Sequence, residues 1–342
     1  MKKIVEILMV VVLLSGSSLI AMKKAEASQL NFSVQTELPT NQLDAKKSYF
    51  DLLMTTNQKQ TVQIALNNDT DQAITIKAEI HSATTNSGGV VEYSESKSQK
   101  DDSLVNDITE LMEVPESTLV PAKSSVKLPV TIQMPKEKVV GQLVGGITLK
   151  EQQEERTQQT DAKEIAIENR YSYAVAIVLQ ESQEEVEPEL ILNQVEASQK
   201  NFRNVIKANL QNITPTFVNK LAVNTTITKK GQKEVLYKET KNDLQMAPNT
   251  NFDLPIPLNG EKLTPGAYTL TMEATSKEHK WKWQKDFTIK AEVAKELNAK
   301  DVTIKRDYGW VLYLVLAVLT LVVIVLLVLL TKKQKQPEQS EK

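Results

Sequence analysis

Residues 61–81, TVQIALNNDTDQAITIKAEIH, alternate between polar and apolar side chains with a period of two. Val62, Ile64 and Leu66 share one parity, and Ile74, Ile76, Ala78 and Ile80 resume the alternation after the polar segment 67–69. This period places successive side chains on opposite faces of a β-strand. The stretch therefore predicts two strands, each with one buried and one solvated face, joined by a turn.

The same alternation recurs on both sides of this stretch and predicts two sets of about seven strands. The first set covers residues 31–36, 49–54, 61–66, 74–81, 126–134, 141–149 and 171–179. The second set covers residues 189–197, 205–212, 221–228, 234–240, 251–257, 267–275 and 281–290. Seven short alternating strands are typical of an immunoglobulin-like sandwich. We predict an all-β fold of two tandem immunoglobulin-like β-sandwich domains, 28–182 and 187–299.

Several shorter features refine this prediction. Pro129 cannot donate to a sheet ladder, so it indicates an edge strand or a bulge. Residues 103–113 have a helix-like apolar spacing and predict one short helix. Residues 151–164 are polar and acidic and predict a solvated loop. Residues 291–307 are charged and predict a stalk that leads to the membrane, and residues 300–309 are assigned to the stalk that follows the second domain.

The N-terminus has the pattern of a secretory signal peptide. Lys2 and Lys3 precede an apolar stretch over 7–20, and Ala25 and Ala27 form a small-x-small site just before Ser28. Residues 1–27 are therefore predicted to be removed by cleavage. An uncleaved anchor is the alternative, which the polar interruption at 15–18 disfavours because it shortens the apolar run.

The C-terminus carries an apolar run over 311–330, which predicts a transmembrane helix at 310–331 after the two domains. Tyr308 and Trp310 are placed to lie in the headgroup layer, and Lys332, Lys333 and Lys335 indicate a cytoplasmic tail over 332–342. The chain is predicted to be a single-pass cell-membrane protein with both domains outside, on the wall side. Residues 305–309, KRDYG, do not resemble a sortase signal.

Composition and motifs favour a binding protein over an enzyme. The 342 residues include no cysteine and have a net charge of −2, so neither thiolate chemistry nor a nucleic-acid footprint is expected. His81 falls on a polar strand face and His279 in a charged turn. With no metal, nucleophile-elbow or phosphate-loop motif in the sequence, we predict no catalytic, cofactor or metal site. A wall-modifying hydrolase remains an alternative that would need a carboxylate pair, although pairs such as Glu184 and Glu185 lie in polar runs.

Two further patterns allow a structural and a functional interpretation. Trp281 and Trp283 could form an exposed binding patch, but they share parity with Phe287 and Ile289 and are expected to face the sandwich interior. Gly145 and Gly146 could approach a ligand, but within a strand a glycine pair more often marks a bulge or a close approach of chains. Sequons at Asn68, Asn212 and Asn224 are not expected to be glycosylated.

A set of short motifs along both domains resembles the WxL-interacting proteins of Gram-positive bacteria. In the first domain these are Asn31-Phe32-Ser33-Val34, Pro39, Asn41-Gln42, Tyr49-Phe50-Asp51-Leu52, Thr85-Asn86, Gly88, Ser103-Leu104, Gly141 and Gly145-Gly146-Ile147. In the second they are Asn201, Ala247-Pro248-Asn249, Pro265-Gly266, Tyr268, Trp281 and Leu297-Asn298. The segment 53–56, LMTT, departs from the Pro-Gly turn expected there.

The resemblance implies an N-terminal peptidoglycan-binding domain and a second domain that binds host surface proteins. It also implies that the protein works beside secreted WxL-domain proteins in a surface complex. The expected function is thus a non-enzymatic cell-surface scaffold whose partners are peptidoglycan, WxL-domain proteins and host extracellular proteins, with membrane lipid contacted through the C-terminal helix. A surface chaperone that pairs strands with secreted WxL proteins is the alternative. No ligand-contacting residues are transferred by the resemblance.

Overall fold

The computed structural model describes residues 31–96, 99–152, 171–304 and 309–334. The chain divides into two compact units. The first unit extends to Glu187 but omits Thr85–Val91, and the second unit consists of Thr85–Val91 together with the chain from Pro188 onward. Each unit has a separate hydrophobic core.

The first unit is a sandwich of a four-stranded and a five-stranded sheet. Its strands, including the short ribbon β5/β6 at the boundary with Thr85–Val91, are β1 (Phe32–Glu37), β2 (Phe50–Leu53), β3 (Lys59–Asn68), β4 (Ile74–Ser82), β5 (Thr84–Thr85), β6 (Val91–Glu92), β7 (Met112–Glu113), β8 (Ser117–Val120), β9 (Ser124–Gln133), β10 (Gln142–Glu151) and β11 (Ser172–Gln180). The sheet orders are β1-β3-β9-β7 and β2-β11-β10-β4-β8. The core lies between them, because the alternating apolar residues of β3 and β4 predicted to be buried are packed in one cluster.

Pro129 lies in a part of β9 that pairs with a neighbouring strand on one side only, as the sequence predicts for an edge. It is opposite Gln63 of β3, whereas β7 pairs with β9 only at Thr131 and Ile132. The unexpected turn segment 53–56 is closed by Asn57, which adopts a left-handed φ of 59° where a glycine could otherwise stand. The N–H of Gln58 donates to the carbonyl of Thr55 at 3.0 Å and completes that turn.

The second unit is a sandwich of a three-stranded and a four-stranded sheet. Its strands are β12 (Leu190–Lys200), β13 (Arg203–Asn212), β14 (Val218–Lys229), β15 (Val235–Met246), β16 (Thr250–Pro257), β17 (Gly266–Ser276) and β18 (His279–Ile289). The sheet orders are β12-β13-β16 and β15-β14-β17-β18. Without β7 and β2 at its sheet edges, the first unit has the same arrangement of three strands facing four, with β1-β3-β9 facing β11-β10-β4-β8. This is the predicted immunoglobulin-like arrangement.

Thr85–Val91 is an integral part of the second unit. The Thr85 side chain is buried, lies 2.7 Å from the Thr250 hydroxyl and accepts a hydrogen bond from the Ala247 N–H at 3.0 Å. A Cβ added to Gly89 would lie 2.7 Å from the Leu244 side chain, and Gly89 also has a φ of +70°. The short loop thus needs glycine both for its backbone conformation and for its packing.

An asparagine at the end of a strand organises the same turn in both units. The Asn68 amide donates to the carbonyls of Gln72, Val120 and Pro121, and its oxygen accepts from the Thr70 N–H and hydroxyl. Asn212 does the same with the carbonyls of Thr216 and Ala247 and with Thr214. Both side chains are essentially fully buried, so these two sequons are used for structure.

A helix, α1 (Ala291–Lys300), packs on the second core through Ala294, where the sequence predicted a stalk. Asp301 follows it and is buried. Its carboxylate accepts from the N–H groups of Asn204, Thr303 and Ile304 and from the Thr303 hydroxyl. Burial acts to raise the pKa of Asp301, but these hydrogen bonds outweigh it and lower the pKa.

The predicted helix over 103–113 is wrong. Only Ile108–Glu110 is helical, as a single 3-10 turn. The side chains of Asp101 and Asp107 accept hydrogen bonds from the N–H groups two residues further on, at Ser103 and Thr109. Such local side-chain bonds compete with helix formation, which the apolar spacing alone does not reveal.

The prediction of a transmembrane helix at 310–331 is also wrong by the structure. A helix, α2, extends over Gly309–Gln334, but its side chains are described only for residues 313–327. Across the described parts of the chain, no helix combines the length and hydrophobicity needed for crossing a membrane.

Candidate functional site

One face of the five-stranded sheet in the first unit gathers residues that are far apart in the sequence. We call Lys47, Tyr49, Asp51, Tyr93 and Gln180 the tyrosine face. Asp51 of β2 points away from the core, because its neighbours Phe50 and Leu52 are fully buried on the other side. The sequence motif around Tyr49 therefore supplies both core and surface residues.

A buried carboxylate anchors this face. The Lys47 ammonium lies 2.5 Å from one Asp51 oxygen, and the Gln180 amide donates to the other at 2.9 Å. The Gln42 side chain accepts from the Asp51 N–H at 3.0 Å and so fixes the preceding loop. The same Lys47 ammonium lies 5.2 Å from the centre of the Tyr49 ring, within the range of a cation–π contact. Lys47 and Tyr49 are thereby held in place together.

Tyr93 reaches the face because Gly146 has no side chain. A Cβ on Gly146 would lie 2.7 Å from the Tyr93 Cβ, so any larger residue would displace the ring. The Thr148 hydroxyl donates to the Tyr93 carbonyl at 3.1 Å. Tyr93 thus lies across β10 and is half-buried.

Gly145 has the equivalent role on the core side of the same strand. A Cβ there would lie 2.4 Å from Ile108 and 2.6 Å from the His81 carbonyl. β10 pairs with β4 and β11 without a register shift, so the glycine pair marks close packing and not a bulge. Of the two alternatives that the sequence leaves open at Gly145 and Gly146, a bulge or a close approach of chains, the structure shows the close approach.

Two groups of the tyrosine face, Lys47 and Tyr93, have a pKa raised by their surroundings. Burial acts to lower the pKa of Lys47, but hydrogen bonds to Asp51 and Tyr49 outweigh this effect and raise the pKa. Burial raises the pKa of Tyr93, with a smaller contribution from Tyr49, which is close enough for the two charges to interact. The face therefore offers the Lys47 ammonium, the phenol groups of Tyr49 and Tyr93, and the Gln180 amide.

This set of groups is chemically suited to a neutral or weakly acidic polar polymer. Half-exposed tyrosine rings provide flat apolar surface with a polar tip, which can stack on sugar rings and hydrogen-bond their substituents. A lysine beside them can pair with a carboxylate. None of these groups is arranged as an activated nucleophile.

A network around Asp107 joins the end of β4 to the 3-10 turn at Ile108–Glu110. Asp107 is buried, accepts from the Ser82 hydroxyl at 2.5 Å and from the Thr109 N–H at 2.9 Å, and is ion-paired with Lys100. Burial acts to raise its pKa, but the hydrogen bonds from Lys100, Ser82 and Thr109 lower the pKa to about 2. Asp107 is therefore charged at any physiological pH.

In the second unit both tryptophans lie on β18. Trp281 and Trp283 pack against the core while remaining partly exposed, as their parity predicts, and the His279 ring stacks on Trp281 with centroids 5.8 Å apart. Lys280 and Lys282 point to the opposite, solvent-facing side of the strand. Lys282 is ion-paired with Glu273 of β17 at 2.7 Å.

Most other motif residues of the second unit stabilise the fold. The Tyr268 hydroxyl donates to the Thr264 carbonyl at 2.8 Å, in the manner of a tyrosine corner, and the ring stacks on Phe287. Asn298 of α1 accepts from the Leu263 N–H and donates to the Leu263 carbonyl. Asn201 has a left-handed φ of 51° in the β12–β13 turn.

The residues that the sequence assigned to processing and anchoring lie outside the residues whose side chains are described. These are Ala25, Ala27 and Ser28 at the cleavage site, and Tyr308, Trp310, Lys332, Lys333 and Lys335 at the membrane interface. The sequence left ligand-binding residues unassigned and so missed the tyrosine face. Tyr49 could have been suspected from its motif, but Tyr93 lies in a polar segment without a pattern. Over the described residues, no group of three or more His, Asp or Glu is placed to hold a metal ion.

Comparison with known families identifies both units. The family model for the WxL Interacting Protein peptidoglycan binding domain matches residues 32–151, and the model for the host binding domain of the same family matches residues 162–299. Together these matches cover well over half of the chain. This order of domains is the one that the sequence motifs imply. The chain belongs to the WxL Interacting Protein family, whose two domains are binding domains.

Solved structures resemble the chain only distantly. One is the chaperone–tip adhesin complex of CFA/I fimbriae, with 12% identity, a TM-score of 0.30 and coverage of 77% of this chain and 99% of that one. The Escherichia coli chaperone DraB has 13% identity, a TM-score of 0.28 and coverage of 76% and 98%. The human CEP192 PapD-like domain 7 has 8% identity, a TM-score of 0.28 and coverage of 48% and 97%. No curated protein matches the chain.

Proposed function

We propose that this protein is a non-enzymatic scaffold of the bacterial cell wall, which binds peptidoglycan through the tyrosine face of its first unit and a partner protein through its second unit. The observation that carries the proposal is the paired match to a peptidoglycan binding domain and a host binding domain in this order. The partners are WxL-domain surface proteins and host extracellular proteins. The site of action is the outer, wall side of the cell.

The chemistry of the tyrosine face supports the choice of ligand. Peptidoglycan combines sugar rings that bear N-acetyl groups with peptide stems that bear carboxylates. Tyr49 and Tyr93 are half-exposed and can stack on the sugars, and Lys47 can pair with a stem carboxylate while Asp51 holds it in position. Lys47, Tyr49 and Tyr93 lie in loop segments, but their contacts with Asp51 and Gly146 of the sheet hold them in place and preorganise them for binding.

The predicted signal peptide over 1–27 supports a location outside the cell, and the lack of cysteine in the sequence means that neither unit relies on disulfides. A direct check is protease treatment of intact cells, which should degrade both units if they lie on the wall side. Protection of both units would contradict the proposed location.

Sedimentation of the full chain with purified, insoluble peptidoglycan tests the first half of the proposal. Tyr49→Ala should weaken binding by about tenfold or more, since a central aromatic side chain typically contributes at least 1–2 kcal/mol to an interface. Tyr171→Ala is the matched control, because Tyr171 is an exposed tyrosine of the same unit that precedes the opposite end of β11. Equal binding by the two variants would refute the tyrosine face as the site.

Capture of a purified WxL-domain protein on the immobilised full chain tests the second half. Binding should persist in Tyr49→Ala, because that residue lies in the first unit. Loss of protein capture in Tyr49→Ala, with the circular dichroism spectrum unchanged, would contradict the division of roles between the two units.

A further inference from the structure

The first unit closes the outer edge of its larger sheet with a strand of its own. β2 pairs in parallel along β11, from Phe50 opposite Ile177 to Leu53 opposite Gln180. Phe50 and Leu52 enter the core, whereas Asp51 between them faces outward. This edge is thus filled by a short strand whose apolar residues alternate with an acidic one.

The topologically equivalent edge of the second unit is β18. Both β11 and β18 follow the same three strands in their sheets, β8-β4-β10 in one unit and β15-β14-β17 in the other. Within the part of the chain that the structure describes, β18 pairs only with β17. The unit has no counterpart of β2 among these residues, so one side of β18 lacks a strand partner.

β18 is a regular template along its whole length. All eleven of its residues pair with β17 without a register shift, from Ile289 opposite Gly266 to His279 opposite Ser276. The β17–β18 hairpin has a two-residue loop, so its closing pair, Ser276 and His279, is a hydrogen-bonded pair. From there along the strand, non-hydrogen-bonded and hydrogen-bonded pairs alternate. Lys280, Lys282 and Gln284 therefore direct their backbone N–H and C=O groups toward the open side.

The opposite edge of the same sheet is a poor template. β15 pairs with β14 with three register shifts, and Asp243 within it has a left-handed φ of 56°. Bulges of this kind twist an edge and interrupt its row of hydrogen-bonding groups, which protects it against added strands. Of the two edges of this sheet in the described part of the chain, β18 alone combines length, regularity and an open side.

We propose that β18 is a docking edge for an extended segment of a partner protein, which adds to the sheet as a further strand and alternates apolar with acidic residues. This inference rests on the proposed function of the second unit as a protein-binding domain and specifies its mode of binding. Apolar residues of the added strand would cover the partly exposed rings of Trp281 and Trp283. Acidic residues on the other face would lie beside Lys280 and Lys282.

Charge argues against a second copy of this chain as the occupant. Edge-to-edge pairing of two β18 strands would bring their exposed lysines close together, and like charges on neighbouring strands are destabilising. Exposed lysines on an edge are a common protection against such self-association. An acidic partner strand converts the same lysines into a source of attraction.

The test uses capped eight-residue peptides that alternate valine with glutamate, and a matched set with lysine in place of glutamate. Binding to the full chain is followed by tryptophan fluorescence and by calorimetry. The glutamate peptide should bind about tenfold more tightly than the lysine peptide, as expected for two charge pairs at an exposed edge. The reversal Lys280→Glu should reduce or invert this preference.

Two substitutions at one position separate strand addition from a side-chain effect. Gln284→Pro removes an outward N–H while sparing the pairing with β17, and it should abolish binding of the glutamate peptide. Gln284→Thr changes the same side chain, keeps the N–H and should bind like the parent protein. Unfolding midpoints by tryptophan fluorescence verify that both variants fold.

Equal binding by Gln284→Pro and Gln284→Thr, or no binding of either peptide to the parent chain, would overturn the inference. Its failure is distinguishable from failure of the proposed function. If Gln284→Pro still captures the WxL-domain protein, the second unit binds protein at another surface. If the parent chain captures no protein but binds the glutamate peptide, the docking edge stands and the choice of partner is wrong.

Discussion

The two units have the same turn and differ at the corresponding sheet edge. Asn68 and Asn212 end equivalent strands, β3 and β13, and each is opposite the first residue of the next strand in its sheet, Ser124 or Thr250. Yet β11 is covered by β2, whereas β18 pairs with β17 alone among the described residues. A few buried polar residues therefore fix the common core, while the edges and faces around it are free to acquire different binding roles.

The prediction with the largest expected effect on stability follows from the equivalence of the two turns. Asn212→Ala should lower the free energy of unfolding of the second unit by about 3 kcal/mol or more, because it leaves buried carbonyls without donors. Asn68→Ala should do the same to the first unit. Trp281 and Trp283 lie in the second unit, so fluorescence should follow the loss in Asn212→Ala, and only circular dichroism should follow it in Asn68→Ala.

Asn224 provides the control for these two substitutions. It is the third sequon residue, lies exposed on β14 and accepts one hydrogen bond from the Thr240 hydroxyl at 2.8 Å. Asn224→Ala should change the free energy of unfolding by less than about 0.5 kcal/mol. A cost in Asn224→Ala equal to that in Asn212→Ala would break the argument from burial.

Gly145 and Gly231 contrast a closely packed glycine of the first unit with an unpacked glycine of the second. Gly145→Ala should destabilise the first unit by about 1–3 kcal/mol, because the added Cβ overlaps Ile108 and the His81 carbonyl. Gly231→Ala is the contrasting variant, with a φ of +78° but nothing within 4 Å of the added Cβ. It should cost only about 1 kcal/mol, from backbone conformation alone. Urea unfolding of both variants measures the difference.

Acid should weaken the first unit through Asp107. Since its folded pKa is about 2 and its unfolded value is near 3.9, the stabilisation is fully present above pH 4 and is lost as the pH falls toward 2. The total contribution is about 2 kcal/mol. Asp107→Asn should flatten the pH dependence of first-unit stability in this range. Glu79→Gln, at an exposed carboxylate of the same unit paired with Lys150, should change it much less.

The smallest expected effect concerns the tyrosine corner of the second unit. Tyr268→Phe keeps the stacking on Phe287 and removes the hydrogen bond to the Thr264 carbonyl. The expected cost is about 1 kcal/mol in a tryptophan-monitored unfolding experiment. A cost above about 3 kcal/mol would show that the corner has a larger role than one hydrogen bond.

The sequence predicted those features that depend on local alternation. The parity of Trp281 with Phe287 placed its ring against the core, and Pro129 marked the one-sided stretch of β9. Such patterns are set by the two-residue period of a strand, which acts within a few neighbours along the chain. For Gly145 and Gly146 the sequence left a bulge or a close approach of chains open, and the regular pairing of β10 in the folded sheet decides between the two.

Features that depend on distant chain segments were not predictable. The partners of the glycine pair, Ile108 and Tyr93, lie about 40–50 residues away in the sequence, and the apolar spacing over 103–113 hid two turns made by aspartate side chains. The assignment of Thr85–Val91 to the second unit likewise depends on contacts with Ala247 and Thr250. The tyrosine face was missed because Tyr93 joins Tyr49 only through the folded sheet.

The central claim is that the two units bind different ligands at different surfaces. The most direct measurement compares Tyr49→Ala and Gln284→Pro, as full chains, for retention by insoluble peptidoglycan and for capture of a purified WxL-domain protein. The account predicts that Tyr49→Ala loses peptidoglycan and keeps the protein, and that Gln284→Pro does the reverse. Loss of both ligands in either folded variant, or retention of peptidoglycan by Tyr49→Ala, would contradict it.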